Sequence, residues 1–354
     1  MTRSVAEVWQ HWQPRARMGV YPFDFTPYED DERVLTGLKS VEDRDAWARA
    51  FSDAARPHEQ AAAVASDPAA ANKEWLAAYG LYRMGRFPCM NSAGKQAAYR
   101  KSQECFFKAH SSDVERVQMG SSPGILRVPG AARPAPVLIA WGGIDTFKED
   151  RHASTDPFYA RGMATLTIDM PGTADAPVPG SETAERMWDP ILDWIAADPR
   201  LDERRVAIWG GSTGGYWATK LAHTHRQRLA AVISQGGPAH YAFSREWIDQ
   251  AESGEYPFEL AATLACAFGG STYDDWVRIA PGLSLLDPGI LDQPCAPLLC
   301  INGVNDSIFP IKDYYLVLEH GSPKEARFWP TGHMGTAPDT VPTMLAWLCA
   351  KLGL

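Results

Sequence analysis

The sequence predicts an α/β fold with a mostly parallel central sheet, a helical region ahead of it and an insertion after the sixth strand. Three observations predict this. From about residue 113 onward, short runs rich in β-branched and aromatic residues alternate with stretches of helical periodicity, the pattern of a parallel sheet crossed by helices. Residues 1–112 repeat apolar positions at helix spacing and hold no convincing strand. A glycine-flanked serine, Ser212, sits where one of the strands gives way to a helix.

In the N-terminal region, 43–55, 72–84 and 93–109 read as amphipathic helices, while the aromatic, proline-punctuated stretch 21–28 reads as a strap. Stretches 114–119 and 125–128 read as a hairpin turning at Ser122-Pro123-Gly124. Strands of the sheet are expected at 136–141, 164–168, 206–209, 231–234, 298–301 and 326–329, with helices at 183–197, 215–223, 312–320 and 340–352. Residues 238–292 interrupt the alternation with Trp247, Tyr256, Phe258, Phe268, Tyr273 and Trp276, and form a lid-like insertion. Each of those aromatics taken singly is more often packing than a substrate contact. The division expected is a helical cap region over 1–112 and a catalytic domain over 113–354.

Composition narrows the function. The chain has 354 residues, 45% of them hydrophobic and 22% charged, which suits a large buried core and no disordered tract. A formal charge of -9 with scattered basic residues disfavours a nucleic-acid partner. No apolar run is long enough to cross a bilayer, and residues 1–9 carry an early acid instead of a leader-like apolar core. Six cysteines without C-x-x-C spacing read as reduced, so the cytoplasm is the expected compartment.

The chemistry starts at Gly210-Gly-Ser212-Thr-Gly214, a G-x-S-x-G frame between an apolar strand and a helix. A serine on so sharp a turn needs neighbours without side chains, and the helix that follows aims free N–H groups back at it. Gly120-Ser-Ser122-Pro-Gly124 has the same frame, but Pro123 has no N–H to offer an oxyanion, which removes Ser122. A serine needs a base, and the base an orienting acid. Asp306 follows the strand at 298–301, and His333 follows the last strand in a glycine-flanked loop, so the order is serine, acid, histidine. Asp287, Asp292, Asp313 and Asp339 follow no strand directly. His223, His225 and His320 sit at helix ends, where a cation caps carbonyls. His11, His58 and His110 belong to the helical region. His240 and Trp247, in the insertion, are candidates to touch substrate. Oxyanion donors are expected from Thr213 and from Gly143 or Ile144, in the loop after the strand at 136–141. Neither phosphate-loop spacing nor metal spacing such as H-E-x-x-H occurs, so no cofactor and no metal is expected.

With Trp141-Gly-Gly-Ile-Asp-Thr-Phe-Lys-Glu149, the elbow at Ser212, Asp306 and His333 in this order, the chain resembles the α/β-hydrolase superfamily. Arg86-Phe-Pro88 and Tyr99 make it similar, more narrowly, to the branch of 2,6-dihydroxypseudooxynicotine hydrolase, the fungal polyketide-shortening pigment hydrolases and fermentation-respiration switch-like proteins. That resemblance implies a helical cap over the site, a possible homodimer, and hydrolysis of an ester or of a carbon–carbon bond beside a ketone. It also implies an assisting glutamate, for which Glu246 and Glu252 are candidates. The expected activity is therefore a serine hydrolase acting on a small apolar or aromatic, polyketide-like molecule. Acyl transfer or cyclisation would use the same groups, and a non-catalytic regulatory protein would follow only if they fail to converge.

Overall fold

A computed structural model describes residues 3–130 and 134–354, so Met1 and Thr2 of the stretch read for a leader lie outside the described residues. Two compact units emerge: the described residues up to Val114 together with Pro257–Glu259, and Glu115–Tyr256 with Leu260–Leu354.

The first unit is helical, with helices at Val5–Met18, Tyr28–Gly37, Arg44–Val64, Pro68–Arg86 and Ala93–Ala109. Ser4, Asp43, Asp67 and Ser92 each cap a helix by accepting a backbone N–H of its first turn. Trp12, Phe23, Trp47, Phe51, Phe87 and Phe258 form its aromatic centre. The helix expected to stop at 55 runs on to Val64 through Pro57. Its buried face, Trp47, Phe51, Ala54, Ala55 and Ala62, continues past the proline, and that burial offsets the roughly 3 kcal/mol a helix-interior proline costs. The strap at 21–28 is a succession of turns, and its last residue, Tyr28, already opens a helix.

The second unit is built on eight strands: β1 (Glu115–Met119), β2 (Ser122–Arg127), β3 (Ala135–Trp141), β4 (Ala164–Ile168), β5 (Leu201–Gly211), β6 (Ala231–Gln235), β7 (Leu298–Gly303) and β8 (Glu325–Trp329). They form one sheet in the order β1-β2-β4-β3-β5-β6-β7-β8. β1 and β2 are antiparallel additions at one edge, and from β4 to β8 every pairing is parallel. A parallel sheet is covered on both faces, which is why β3, β4, β6 and β7 are buried at every position. Alternate residues feed opposite cores. Val137, Ile139 and Trp141 meet Trp188, Ile191 and Trp217 on one face, while Leu138 and Ala140 meet Phe158, Met344 and Leu348 on the other.

The hairpin turns two residues earlier than expected. Gly120 takes the left-handed conformation at φ 59°, Met119 pairs with Ser122, and Ser122-Pro123-Gly124 lies inside β2. Pro123 is tolerated there because pairing to β4 begins only at Gly124, so its missing N–H breaks no bond on that side. Between β6 and β7 the insertion is helical, with Arg245–Ala251, Leu260–Ala267 and Tyr273–Ile279. Asp313, fully buried in the helix Ile311–Glu319, accepts the backbone N–H groups of Ala239, His240, Tyr241 and Ala242 and so pins the start of the insertion.

Candidate active site

β5 ends at Gly211 and the helix Thr213–Thr224 begins two residues later, leaving Ser212 alone on the turn. Its backbone takes φ 56° and ψ -132°, a conformation that costs a non-glycine residue of order 1–3 kcal/mol. Two contacts hold it there: the Ser212 N–H donates to Gln235 O at 2.7 Å and to Met334 Sδ at 3.0 Å. The flanking glycines are required by packing. A Cβ on Gly210 would lie 2.2 Å from Gly214 O, and one on Gly214 2.2 Å from Gly142 O.

His333 Nε2 is 2.8 Å from Ser212 Oγ, and its Nδ1 is 2.8 Å from Asp306 Oδ2. A carboxylate only accepts, so Nδ1 carries the proton and the lone pair of Nε2 faces the serine hydroxyl. Asp306 is buried and its other oxygen accepts the N–H groups of Ile308 at 2.8 Å and Phe309 at 3.0 Å. Asn302 donates to Oδ2 at 2.8 Å. The acid is thereby fixed from three sides. Burial pushes the His333 pKa down, but the Asp306 carboxylate and its hydrogen bond, with Glu255 and Asp145 nearby, outweigh it and raise the pKa overall.

The residues expected as oxyanion donors, Thr213 and Gly143 or Ile144, lie beside the serine in sequence or in space. Thr213 is the first residue of its helix, where an N–H has no intrahelical acceptor. Gly143 comes so close that a Cβ on it would sit 2.9 Å from Ser212 Oγ and 3.4 Å from Thr213 N. Ile144 follows Gly143 and is buried. Lys148, five residues on, anchors the loop: its N–H donates to Asp169 Oδ1 at 2.8 Å, and its ammonium meets Asp169, Asp175 and Glu149.

The other candidates make contacts of their own. His240 Nδ1 bonds Ser284 Oγ at 2.8 Å, and Trp247 Nε1 donates to Ile308 O at 2.9 Å, bracing the acid loop from behind. Phe268 and Trp276 pack against each other, and Phe268 stacks on Trp217, as core. Asp292 meets His320, and Asp339 accepts from Trp329 Nε1. His223 is not the charged helix cap its position suggested. It is buried against Gln293 O, and burial pushes its pKa down to about 4, so it stays neutral. Glu246 is exposed, and Glu252 accepts from Ala261 N, so neither candidate glutamate bonds the serine, acid or histidine. Glu255 of the same insertion accepts the His333 N–H instead. Gln235 was also missed: its side chain donates to Met334 O at 2.8 Å and accepts from Trp209 at 2.9 Å, joining the end of β6 to the histidine loop. Its only signal in the sequence is that it ends a strand beside the elbow strand.

The family described as FrsA-like esterases matches residues 33–324 of the chain. Esterase FrsA of Escherichia coli O139:H28 (strain E24377A / ETEC) is 27% identical over 287 residues, 77% of this chain and 68% of that protein. Esterase FrsA of Citrobacter koseri is 26% identical over 298 residues, 78% of this chain and 69% of that protein. Among solved structures, wild-type AbyA5 superposes with a TM-score of 0.80 at 21% identity, covering 99% of this chain and 95% of its own. The 2,6-dihydroxy-pseudo-oxynicotine hydrolase superposes with a TM-score of 0.73 at 21% identity, covering 93% and 94%. At such identities the two structures establish the α/β-hydrolase fold.

Proposed function

The chain belongs to the FrsA-like esterase family and is a serine hydrolase, and we propose that it cleaves carboxylic esters through Ser212, His333 and Asp306. The observation that carries this reading is the unbroken relay of two 2.8 Å contacts, Ser212 Oγ to His333 Nε2 and His333 Nδ1 to Asp306 Oδ2. His333 takes the hydroxyl proton as Ser212 Oγ attacks the acyl carbon, and the resulting imidazolium is stabilised by Asp306. The negative charge on the former carbonyl oxygen is received by the N–H groups of Thr213 and of Gly143 or Ile144. His333 then protonates the departing alcohol. Water, deprotonated by the same imidazole, releases the acid from Ser212.

An apolar acyl group suits this site. Ile144 is buried in the oxyanion loop, the Phe309 ring centroid is 5.7 Å from that of His333, and the Met334 thioether packs against the elbow. The same acyl-enzyme would serve cleavage beside a ketone or transfer to an acceptor, and product analysis on a ketone and with added alcohols separates the three. The primary test is labelling of the full chain by a fluorophosphonate, beside hydrolysis of p-nitrophenyl esters of graded chain length. Wild type is labelled and Ser212→Ala is not. Labelling that persists in Ser212→Ala, or a wild type that neither labels nor hydrolyses any ester, refutes the reading.

A further inference from the structure

We propose that Glu255 is a positioning residue for the base: its carboxylate clamps the loop that carries His333 to the loop that carries Asp306. The proposal rests on the triad assigned above. One oxygen, Glu255 Oε1, accepts three hydrogen bonds, from His333 N at 3.0 Å, Ser307 N at 3.2 Å and Ser307 Oγ at 3.1 Å. The backbone N–H of Glu255 donates back to Ser307 Oγ at 2.9 Å. Ser307 is the neighbour of Asp306 in sequence, so a single carboxylate bonds the backbone of the base and the backbone beside the acid.

The fit around this carboxylate is close. A Cβ on Gly332, the residue before His333, would lie 2.7 Å from Glu255 Oε2, and a Cβ on Gly254 would lie 2.8 Å from Ser307 O. Only glycine at 332 lets the carboxylate lie against the peptide that leads into the base. The hydrogen bonds of Glu255 go to the His333 backbone and to Ser307, with none to Ser212 or to the imidazole ring among the described residues, so it acts through His333 and not on the substrate. The two loops belong to different strands, β7 and β8, and the 2.8 Å contact between Nδ1 and Asp306 depends on their spacing. Glu255 sets that spacing from a third segment.

The clamp also carries charge. The ionisable groups that face His333 are Asp306 from the loop after β7, Glu255 from the insertion and Asp145 from the loop after β3. All three favour the imidazolium, and together they overcome the burial that opposes it. Glu255→Gln keeps an oxygen that can accept from His333 N but removes the charge. Glu255→Ala removes both.

The test is the rate of fluorophosphonate labelling of the full chain as a function of pH, which needs no natural substrate. The acid limb of that profile reports the protonation of His333, because only the neutral imidazole accepts the serine proton. In Glu255→Gln the acid limb moves to lower pH while the plateau rate stays within about threefold of wild type. In Glu255→Ala the limb moves the same way and the plateau falls about tenfold, since two backbone donors lose their acceptor. A residue with a merely structural part would lower the melting temperature and leave the limb where it is. Limbs at the wild-type pH in both variants overturn the proposal, and if Glu255→Ala does not fold, Glu255→Gln alone decides. A wild type that labels through Ser212 with unmoved limbs defeats the clamp only, whereas labelling independent of Ser212 defeats the triad.

Discussion

Replacing Gly143 by alanine places one methyl group against the nucleophile and nothing else of consequence. The added Cβ would lie 2.8 Å from Ser212 Cβ and 2.9 Å from Ser212 Oγ, where carbon atoms in contact normally stand about 3.5–4.0 Å apart. Something has to yield by more than half an ångström. The loop after β3 cannot retreat freely, because Lys148 ties its far end to Asp169 through both backbone and ammonium, and Lys148 and Asp169 are both buried. The serine therefore moves, by rotating Oγ out of its 2.8 Å contact with His333 Nε2 or by displacing the elbow. A misplacement of about 1 Å at reacting atoms costs on the order of 100-fold in rate, close to 3 kcal/mol of barrier. Gly143→Ala should thus lower kcat/KM for a p-nitrophenyl ester and the labelling rate by about 100-fold. Overpacking of this kind destabilises by about 1–3 kcal/mol, so the protein still folds and its melting curve stays cooperative. Gly37→Ala is the matched control, since a Cβ there meets nothing within 4 Å, and it should label at the wild-type rate. A folded Gly143→Ala protein within threefold of wild type in both assays would refute the close approach of this loop to Ser212.

Asp306→Asn should reduce kcat by about 10³- to 10⁴-fold and cost about 1–3 kcal/mol of stability, because Asn302 loses its acceptor at Oδ2. The N–H groups of Ile308 and Phe309 require an oxygen at the Oδ1 position, which forces the new amide NH2 toward His333 Nδ1. The imidazole then carries its proton on Nε2 and cannot accept from Ser212. Steady-state kinetics beside a melting curve check this, and activity within tenfold of wild type would contradict it. Stability should also fall at acid pH because of His223. Its folded pKa of about 4 lies below the 6.5 of the unfolded chain, so the unfolded state binds the extra proton between these values. The contribution is fully present above pH 6.5, is lost as pH falls toward 4, and amounts to about 3 kcal/mol. Urea unfolding at pH 7 and pH 4 should show a smaller acid loss in His223→Gln by that amount. An unchanged difference would mean that His223 is not buried as a neutral ring.

The convergence of Ser212, Asp306 and His333 was legible in the sequence because each follows the carboxyl end of a strand: β7 and the second half of β5 are buried apolar runs, while β8, exposed over Glu325–Arg327, is marked by its aromatic end and by the glycine-flanked loop after it. β4 and the final helix, Thr340–Leu352, were found to the residue. β5 extends from Leu201 to Gly211 instead of 206–209 because Glu203 and Arg204 are exposed and Asp202 and Arg205 pair with each other half-buried, so no apolar signal marks them. Pro57 hid the second half of a helix, and Pro123 suggested a turn where the chain is a strand. In both cases local propensity was overridden by pairing or burial that a linear pattern does not contain. Glu255 had no signal at all. Its segment lies outside any strand or helix, and three residues later Phe258 packs with Trp12 and Trp47 in the helical unit. The glutamates that did stand out lie on or beside the helix Arg245–Ala251, Glu246 in its first turn and Glu252 just past its end, and the carboxylate that bonds the His333 backbone sits on the irregular stretch beyond. Sheet topology brings Ser212, Asp306 and His333 together, and that part is written strand by strand. The spacing between the loops that carry them is set by contacts from segments remote in sequence, and those contacts become visible only when the chain is folded.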